Sequence, residues 1–410
     1  MNKPPITSNQ SPVASHQSPV TSHQPPVKKL KVMTVLGTRP EIIRLAAVIS
    51  TLEKFTDHVL VHTGQNYDYE LNQVFFDDLG VSKPDYFLNV DTSSLGKVLG
   101  EILIKTEEVI LKEKPDAFLV LGDTNSAIAL LMAKRMKIPT YHMEAGNRSF
   151  DPNVPEETNR KMIDHLSDFN LVYTEHARRH LLSEGLSHRF VYLTGSPMRE
   201  VLTGKLDKIN ASGILESLQL KSGKYFIVSV HREENVDHPD NLRKVVACLE
   251  RLYDEYKLPV IVSTHPRTRN RLEKLNLNVA DKDIRFLKPF GFFDYNKLQI
   301  NAFCAISDSG TISEESAILN FPAVTIRNSL ERPEALDAGS IIMTGLDPEV
   351  LLNAVQVVTT ESELFPKREI PAEYDVMNTS LRVTKFIIGT AKLTHRWRNM
   401  DEFSRYDWQK

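Results

Sequence analysis

The chain has 410 residues, with 50 Lys and Arg against 53 Asp and Glu, a net charge of −3 with His neutral. So even a balance exerts no overall pull on nucleic acid or an anionic membrane surface, and no run of the roughly 20 apolar residues that a membrane-spanning helix needs is present. The two cysteines, Cys248 and Cys304, stand far apart in apolar stretches without metal-ligand spacing, and read as core residues of a cytoplasmic protein.

Residues 1–28 repeat with a period of seven, as "PPITSNQ", "SPVASHQ", "SPVTSHQ" and a partial "PPV". Each copy carries Pro and Ser and one or two aliphatic residues, too little apolar surface to offset the entropy of ordering, so a disordered tail is expected. His16 and His23 within it are read as part of a repeat expansion rather than a metal tract. From Lys31 the pattern changes. "KVMTVLG" is a buried strand, and "TRPEIIRLAAVISTLEKF" a helix with Pro40 in its first turn. "HVLVHTG", "AFLVLGD", "PTYHMEAG", "FNLVYT" and "RFVYLTG" are strands. Between them lie helical patterns at Ser94 to Lys112, "SAIALLMAKRM", "PEETNRKMIDHLS" and "EHARRHLLSEG". After a linker near "TGSPMREVL" the rhythm restarts with the strands "KYFIVSV", "LPVIVST", "IRFLKPF", "FCAISDSG", "PAVTIR" and "IIMTG", again separated by helices. "VMNTSLRVTKFIIGTAKL" is a terminal helix. Continuous apolar strands alternating with helices predict α/β architecture: two Rossmann-like, doubly wound parallel sheets, over 29–198 and 199–372, with a helical segment over 373–410.

In such sheets ligands bind beyond the carboxyl ends of the strands, so residues there are the functional candidates. The first half offers Gly37 to Glu41, including Arg39; Gly64, Gln65 and Asn66; Gly122 to Asn125; and Glu144 to Gly146. The second offers His231 to Asn235, Thr264 to Arg267, and Asp308 to Thr311. In "SDSGTISEES", Ser309, Gly310 and Thr311 turn the chain into a helix whose free N–H groups favour a phosphate, and Glu315 is placed to accept from ribose hydroxyls. The same segment also reads as an ordinary capped helix. Neither G-x-G-x-x-G after the first strand nor G-x-x-x-x-G-K-[ST] occurs, which argues against nicotinamide dinucleotides and P-loop chemistry. Asp123, Glu144 and Glu156 crowd the first half, where neighbouring carboxylates push each other's pKa apart as paired acid and base steps require. Glu157 is assigned to helix-dipole stabilisation alone, and Glu156 with Arg160 also has the spacing of a surface ion pair. His231, beside Arg232 at a strand end, is a ligand contact.

"GTRPE", "TGQ", "GDTNS", "MEAGNRSFD", "PEETNR", "HREEN", "THPRTR", "SDSGTISEES" and "ERPEA", in that order from Lys31 onward, resemble the non-hydrolysing UDP-N-acetylglucosamine 2-epimerase family. The resemblance implies a GT-B arrangement with the active site in the interdomain cleft, a UDP-sugar substrate, no cofactor, no metal and a homodimer. It places Asp123, Glu144 and Glu156 in an acid/base cluster with Arg160 as partner, and Arg39 and His231 near the diphosphate. Ser309, Gly310 and Thr311 fall at the phosphate turn, Glu315 at the ribose, Tyr295 at the uracil and Arg332 at a further nucleotide contact. Gln65 lies in the matching "TGQ", and His265 is a looser match. Where family members acting on UDP-N-acetylglucosamine usually carry Lys, this chain has Arg44, and a forked guanidinium reshapes a sugar pocket. With "MEAGNRSFD", this resembles the branch that converts UDP-2-acetamido-2,6-dideoxy-L-talose to UDP-N-acetyl-L-fucosamine for capsules and O-antigens. Interconversion of UDP-N-acetylglucosamine and UDP-N-acetylmannosamine is the alternative. A GT-B glycosyltransferase and a UDP-sugar sensor are the rivals of other classes.

Overall fold

The structure, a computed structural model, describes residues 28–64, 75–152, 154–275, 282–329 and 332–398. The heptapeptide tail up to Val27 and Gln65 lie outside the described residues. Thirteen strands are seen among the described residues: β1 Lys31–Leu36, β2 Asp57–His62, β3 Tyr86–Phe87, β4 Ala117–Leu121, β5 Thr140–Met143, β6 Phe169–Val172 and β7 Val191–Leu193, then β8 Phe226–Ser229, β9 Val260–Ser263, β10 Ile284–Leu287, β11 Cys304–Ser307, β12 Ala323–Thr325 and β13 Ile342–Met343.

The first seven form one sheet in the order β3-β2-β1-β4-β5-β6-β7 and the last six another, in the order β10-β9-β8-β11-β12-β13. All pairings are parallel. Both sheets therefore reverse direction beside their first strand, which opens a crevice at the carboxyl ends. The apolar strands follow from burial on both faces: β4 and β11 are buried at every residue, and each sheet has separate hydrophobic clusters above and below it. These are two Rossmann-like units in the GT-B arrangement. Among the described residues, no helix is long and apolar enough to cross a membrane.

Local chemistry sets the helix starts. Ser94 accepts from the Lys97 amide at the head of Leu95–Glu113, as an N-cap should. Pro40 sits in the first turn of Arg39–Phe55. The stretch "SAIALLMAKRM" begins as a 3₁₀ turn, Asn125–Ala129, before the α-helix Leu130–Arg135. The stretch read as a linker contains a helix, Met198–Asn210, whose Met198, Val201, Leu202 and Ile209 join the first unit's core. The terminal helix, Thr379–Trp397, also returns to that core through Val383, Ile387 and Ala391.

Candidate active site

Beyond β1 the chain turns through Gly37 and Thr38 into the Arg39–Phe55 helix, and Glu41 holds that turn. One Glu41 oxygen accepts from the Gly37 amide (3.0 Å) and the Thr38 hydroxyl (2.8 Å), the other from the Ser126 hydroxyl (2.6 Å). Burial raises this carboxyl above its ordinary pKa, and the three hydrogen bonds oppose that rise. Glu41 thus fastens the β1 turn to the turn after β4. Asp123 stands in that second turn and Glu144 just past β5. Glu144 has φ +61°, a left-handed backbone uncommon for a side chain with a Cβ. Gly146 beside it has φ +83°, and a Cβ there would lie 2.4 Å from the Ala177 carbonyl, so only glycine fits.

The Pro155–Leu166 helix locks both loops with one buried face. Glu157, Arg160 and Asp164 recur at the spacing of a single helical stripe. Glu157 accepts from the Ser149 amide (2.9 Å) and hydroxyl (3.0 Å) and pairs with Arg160 at 3.0 Å. Burial pulls its carboxyl up, but these donors outweigh burial and leave it below the usual range. Arg160 grips Asp123 through Nε (2.7 Å) and Nη2 (2.6 Å). Asp164 accepts from the Gly146 amide and from Arg148 Nη1 (2.7 Å), and contacts His142 Nδ1 at 2.8 Å. The other ring nitrogen of His142 lies 2.8 Å from the Gly122 carbonyl. Each strand-end loop is therefore tied to the helix by a charged side chain, and His142 ties the loops to each other.

The second sheet is organised differently. Fully buried Asp308, just past β11, accepts from the His231 amide (3.1 Å), the Arg232 amide (2.9 Å) and Asn235 Nδ2 (3.0 Å). Its carboxylate also lies 3.2 Å from His231 Nδ1, orienting an imidazole that is half exposed. Next to it the Ser309 and Thr311 hydroxyls bond each other at 2.9 Å, and Thr311 donates to Glu315 at 2.7 Å. Gln299 donates to the other Glu315 oxygen at 2.7 Å. Burial raises the Glu315 carboxyl and these two bonds partly offset the rise.

The two halves meet in a buried ring of charge. Arg44 pairs with Glu144, and Glu144 with Arg332 Nη2 at 2.9 Å. Arg332 Nη1 reaches Glu314 at 2.7 Å, and Glu314 lies 3.9 Å from Arg44. Arg44 and Glu144 belong to the first unit, Glu314 and Arg332 to the second. A cavity of about 440 Å³ opens beside the cleft, lined by Asp151 and Val154 from one unit and Glu233, Glu234, Asp237 and Asn328 from the other. The carboxylates are thus interleaved with guanidiniums rather than set against one another, which differs from the crowding of like charges that the acid-rich sequence suggests.

Residues 50–388 match the family described as UDP-N-acetylglucosamine 2-epimerase. A Methanocaldococcus jannaschii protein of that name is 38% identical over 339 residues, spanning 80% of this chain and 92% of its own. The chain belongs to this epimerase family. Another similar protein, the Pseudomonas aeruginosa UDP-2,3-diacetamido-2,3-dideoxy-D-glucuronate 2-epimerase, is 32% identical over 333 residues, 80% of this chain and 92% of that one. Among solved structures, the UDP-N-acetylglucosamine 2-epimerase from Rickettsia bellii superposes with a TM-score of 0.83 at 49% identity, covering 90% of this chain and 98% of the other.

Set in this epimerase fold, the sequence candidates divide into groups. Asp123 and Arg160 are in direct contact, as are Glu144, Arg44 and Arg332. Ser309, Gly310, Thr311 and Glu315 form one turn beside His231. Tyr295, on the Phe292–Ile300 helix, sets its hydroxyl beside Ser229 and Ser307, and its ring packs on the cluster around Leu298 and Ile312. Arg39 lies over the Phe75 ring at 5.8 Å. His265 is exposed, immediately before the helix Pro266–Lys274. Glu156 is half-buried in the first turn of its helix. One reading is corrected. Glu157 is a buried clamp on Ser149 and Arg160 rather than a dipole-stabilising acid, while Arg160 contacts Asp123, a member of the acid cluster it is expected to partner. Glu314, Asp164 and His142 escaped the sequence reading. For Glu314 a signal existed, the adjacent acids Glu314-Glu315 at a helix start. For His142 and Asp164 none did, because their partners are 20 and 22 residues away in the chain.

Proposed function

We propose that this chain, by family a non-hydrolysing UDP-sugar 2-epimerase, acts on UDP-2-acetamido-2,6-dideoxy-L-talose and yields UDP-N-acetyl-L-fucosamine, a precursor for capsule or O-antigen synthesis. The observation that carries the chemistry is the buried ring of Arg44, Glu144, Arg332 and Glu314 spanning both units, with the Asp123–Arg160 pair beside it. The C2–H of such a sugar is not acidic, since no carbonyl adjoins it. Expulsion of UDP from C1 builds positive charge there and lets the C2 proton leave, giving a 2-acetamidoglycal. A proton then arrives at C2 from the opposite face and UDP adds back to C1. Atoms balance without a redox cofactor. In this scheme Asp123, Glu144 and Glu156 handle protons, and Arg39, His231 and the Ser309–Thr311 turn stabilise the leaving diphosphate.

The sugar is a finer matter than the family. The relatives' names include two different 2-acetamido sugars, so membership is compatible with variation elsewhere on the ring. Arg44 in place of the usual Lys supports the 6-deoxy-L-sugar, because its larger, forked guanidinium, paired with Glu144 and directed toward Glu314, gives the pocket wall a different shape from a lysine's ammonium. Interconversion of UDP-N-acetylglucosamine and UDP-N-acetylmannosamine is the second reading, favoured by the names of the M. jannaschii and R. bellii relatives. A homodimer belongs to the same proposal and is checked by light scattering.

The test is proton NMR of each UDP-sugar with the purified protein in heavy water. Conversion without any acceptor and with deuterium at C2 of the product is expected, and C2 left fully protiated excludes the elimination scheme. A higher kcat/KM on the L-talose derivative is expected; equal or higher kcat/KM on UDP-N-acetylglucosamine promotes the second reading.

A further inference from the structure

Tyr173 lies one residue past β6, and Leu171 two residues before it pairs with Met143, so Tyr173 stands level with the Glu144–Ala145 end of β5. Its side chain is 2% exposed, and its hydroxyl has no hydrogen-bond partner among the described residues. The charged groups acting on that hydroxyl are Arg44, Glu314 and Arg332, three members of the ring between the units. Three further buried polar atoms of that ring also lack a hydrogen bond among the described residues, Arg44 Nε and both Glu314 oxygens, and of these only Oε2 is held by an ion pair, to Arg332; Arg44 Nε and Oε1 are left with the phenol. A buried hydroxyl, guanidinium N–H and carboxylate oxygen left unmatched in one place are costly to the fold. Such a cost persists where a polar ligand supplies the missing partners. None of the three atoms is needed to hold the ring together, since Glu144 and Arg332 already close it.

We propose that the Tyr173 hydroxyl hydrogen-bonds the sugar of the bound UDP-2-acetamido sugar and is a specificity-determining contact of this enzyme. This rests on the functional reading above. The phenol can both donate and accept, so it can pair with a sugar hydroxyl or with the acetamido carbonyl. It stands on the first unit, at the strand end that carries Glu144, whereas the Ser309–Thr311 turn proposed to bind the diphosphate belongs to the second. Its loss therefore acts on the sugar and not on UDP.

The experiment compares wild type with Tyr173→Phe, which keeps the ring and removes only the unmatched oxygen. The unmodified enzyme is first assayed on both UDP-sugars; turnover of neither defeats the functional reading and takes this proposal with it. With wild type active, the variant is expected to lose about tenfold in kcat/KM on the preferred sugar, the scale of one neutral hydrogen bond. Calorimetric Kd for UDP alone stays within about twofold, and Tm is unchanged or higher. Activity within about twofold of wild type overturns the proposal. So does a lower Tm accompanied by weaker UDP binding, because that pattern marks a structural hydroxyl.

Discussion

The carboxyl ends of the two sheets are built from different materials. Around the first, side chains hold side chains: Arg160 on Asp123, Arg44 on Glu144, Asp164 on Arg148 and His142. Around the second, one carboxylate, Asp308, collects two backbone amides and Asn235, and hydroxyls line the turn that follows. Backbone donors fixed by a turn suit an anion that arrives and departs whole. Ion-paired side chains suit protons, because each pair fixes where a carboxylate points. The difference teaches that a single fold, used twice, can be given two chemistries by what fills its strand ends; on the proposed function these are proton transfer in the first unit and leaving-group binding in the second.

The division fails or holds on four measurements. The largest effect is expected in the first unit: Asp123→Asn or Glu144→Gln should cost about 10²–10⁴-fold in kcat while UDP affinity by calorimetry stays near wild type. A variant within a fewfold of wild type takes that residue out of the proton path. Next, Asp164→Ala removes the buried carboxylate shared by Arg148, His142 and the Gly146 amide, while Arg148 keeps Glu184 and His142 keeps the Gly122 carbonyl, and should destabilise the protein by about 1–3 kcal/mol in urea unfolding; no measurable change contradicts the clamp. Third, acid should weaken the first unit. Burial pushes the His58 and His62 imidazoles from 6.5 down to about 4. The unfolded chain takes up protons below about 6.5 that the folded chain refuses until about 4, so the stability present above 6.5 is lost as pH falls through that window. Between pH 7 and pH 5 a loss of about 2 kcal/mol per histidine is expected, and His62→Gln should remove about half of the dependence. The smallest effect falls on the second unit: Asp308→Ala frees the His231 and Arg232 amides and should raise the Kd for UDP about tenfold. An unchanged Kd with a collapse in kcat would reverse the assignment of labour between the halves.

Much of this was legible in the sequence for a physical reason. Parallel strands covered on both faces must be apolar throughout, so their ends show as abrupt polar residues, and Asp123, Glu144, His231 and Ser309 were found there. The clamps were not. Glu157 carries the ordinary signature of a first-turn acid, and only its tertiary setting buries it beneath Ser149. His142 sits inside a strand that reads as uniformly buried, where a histidine has no pattern to mark it. Tyr173 ends "FNLVY" as one more strand aromatic, and its unmatched hydroxyl exists only once Arg44 and Glu314 have been brought beside it from opposite ends of the chain.

The return of the Thr379–Trp397 helix has a mechanical consequence. The backbone passes from one unit to the other twice, and the two passages are fastened together: Thr379 donates to the Thr194 and Ser196 carbonyls at 3.3 and 3.1 Å, and Arg382 to Thr194 at 3.1 Å. Gly195 lies so close to Val376 that a Cβ would come within 2.6 Å of it. Two fastened passages make a single pivot, a geometry that restrains sliding and twisting between the units more than swinging. Any opening of the cleft would therefore carry Arg332 and Glu314 away from Arg44 and Glu144 along an arc about that pivot.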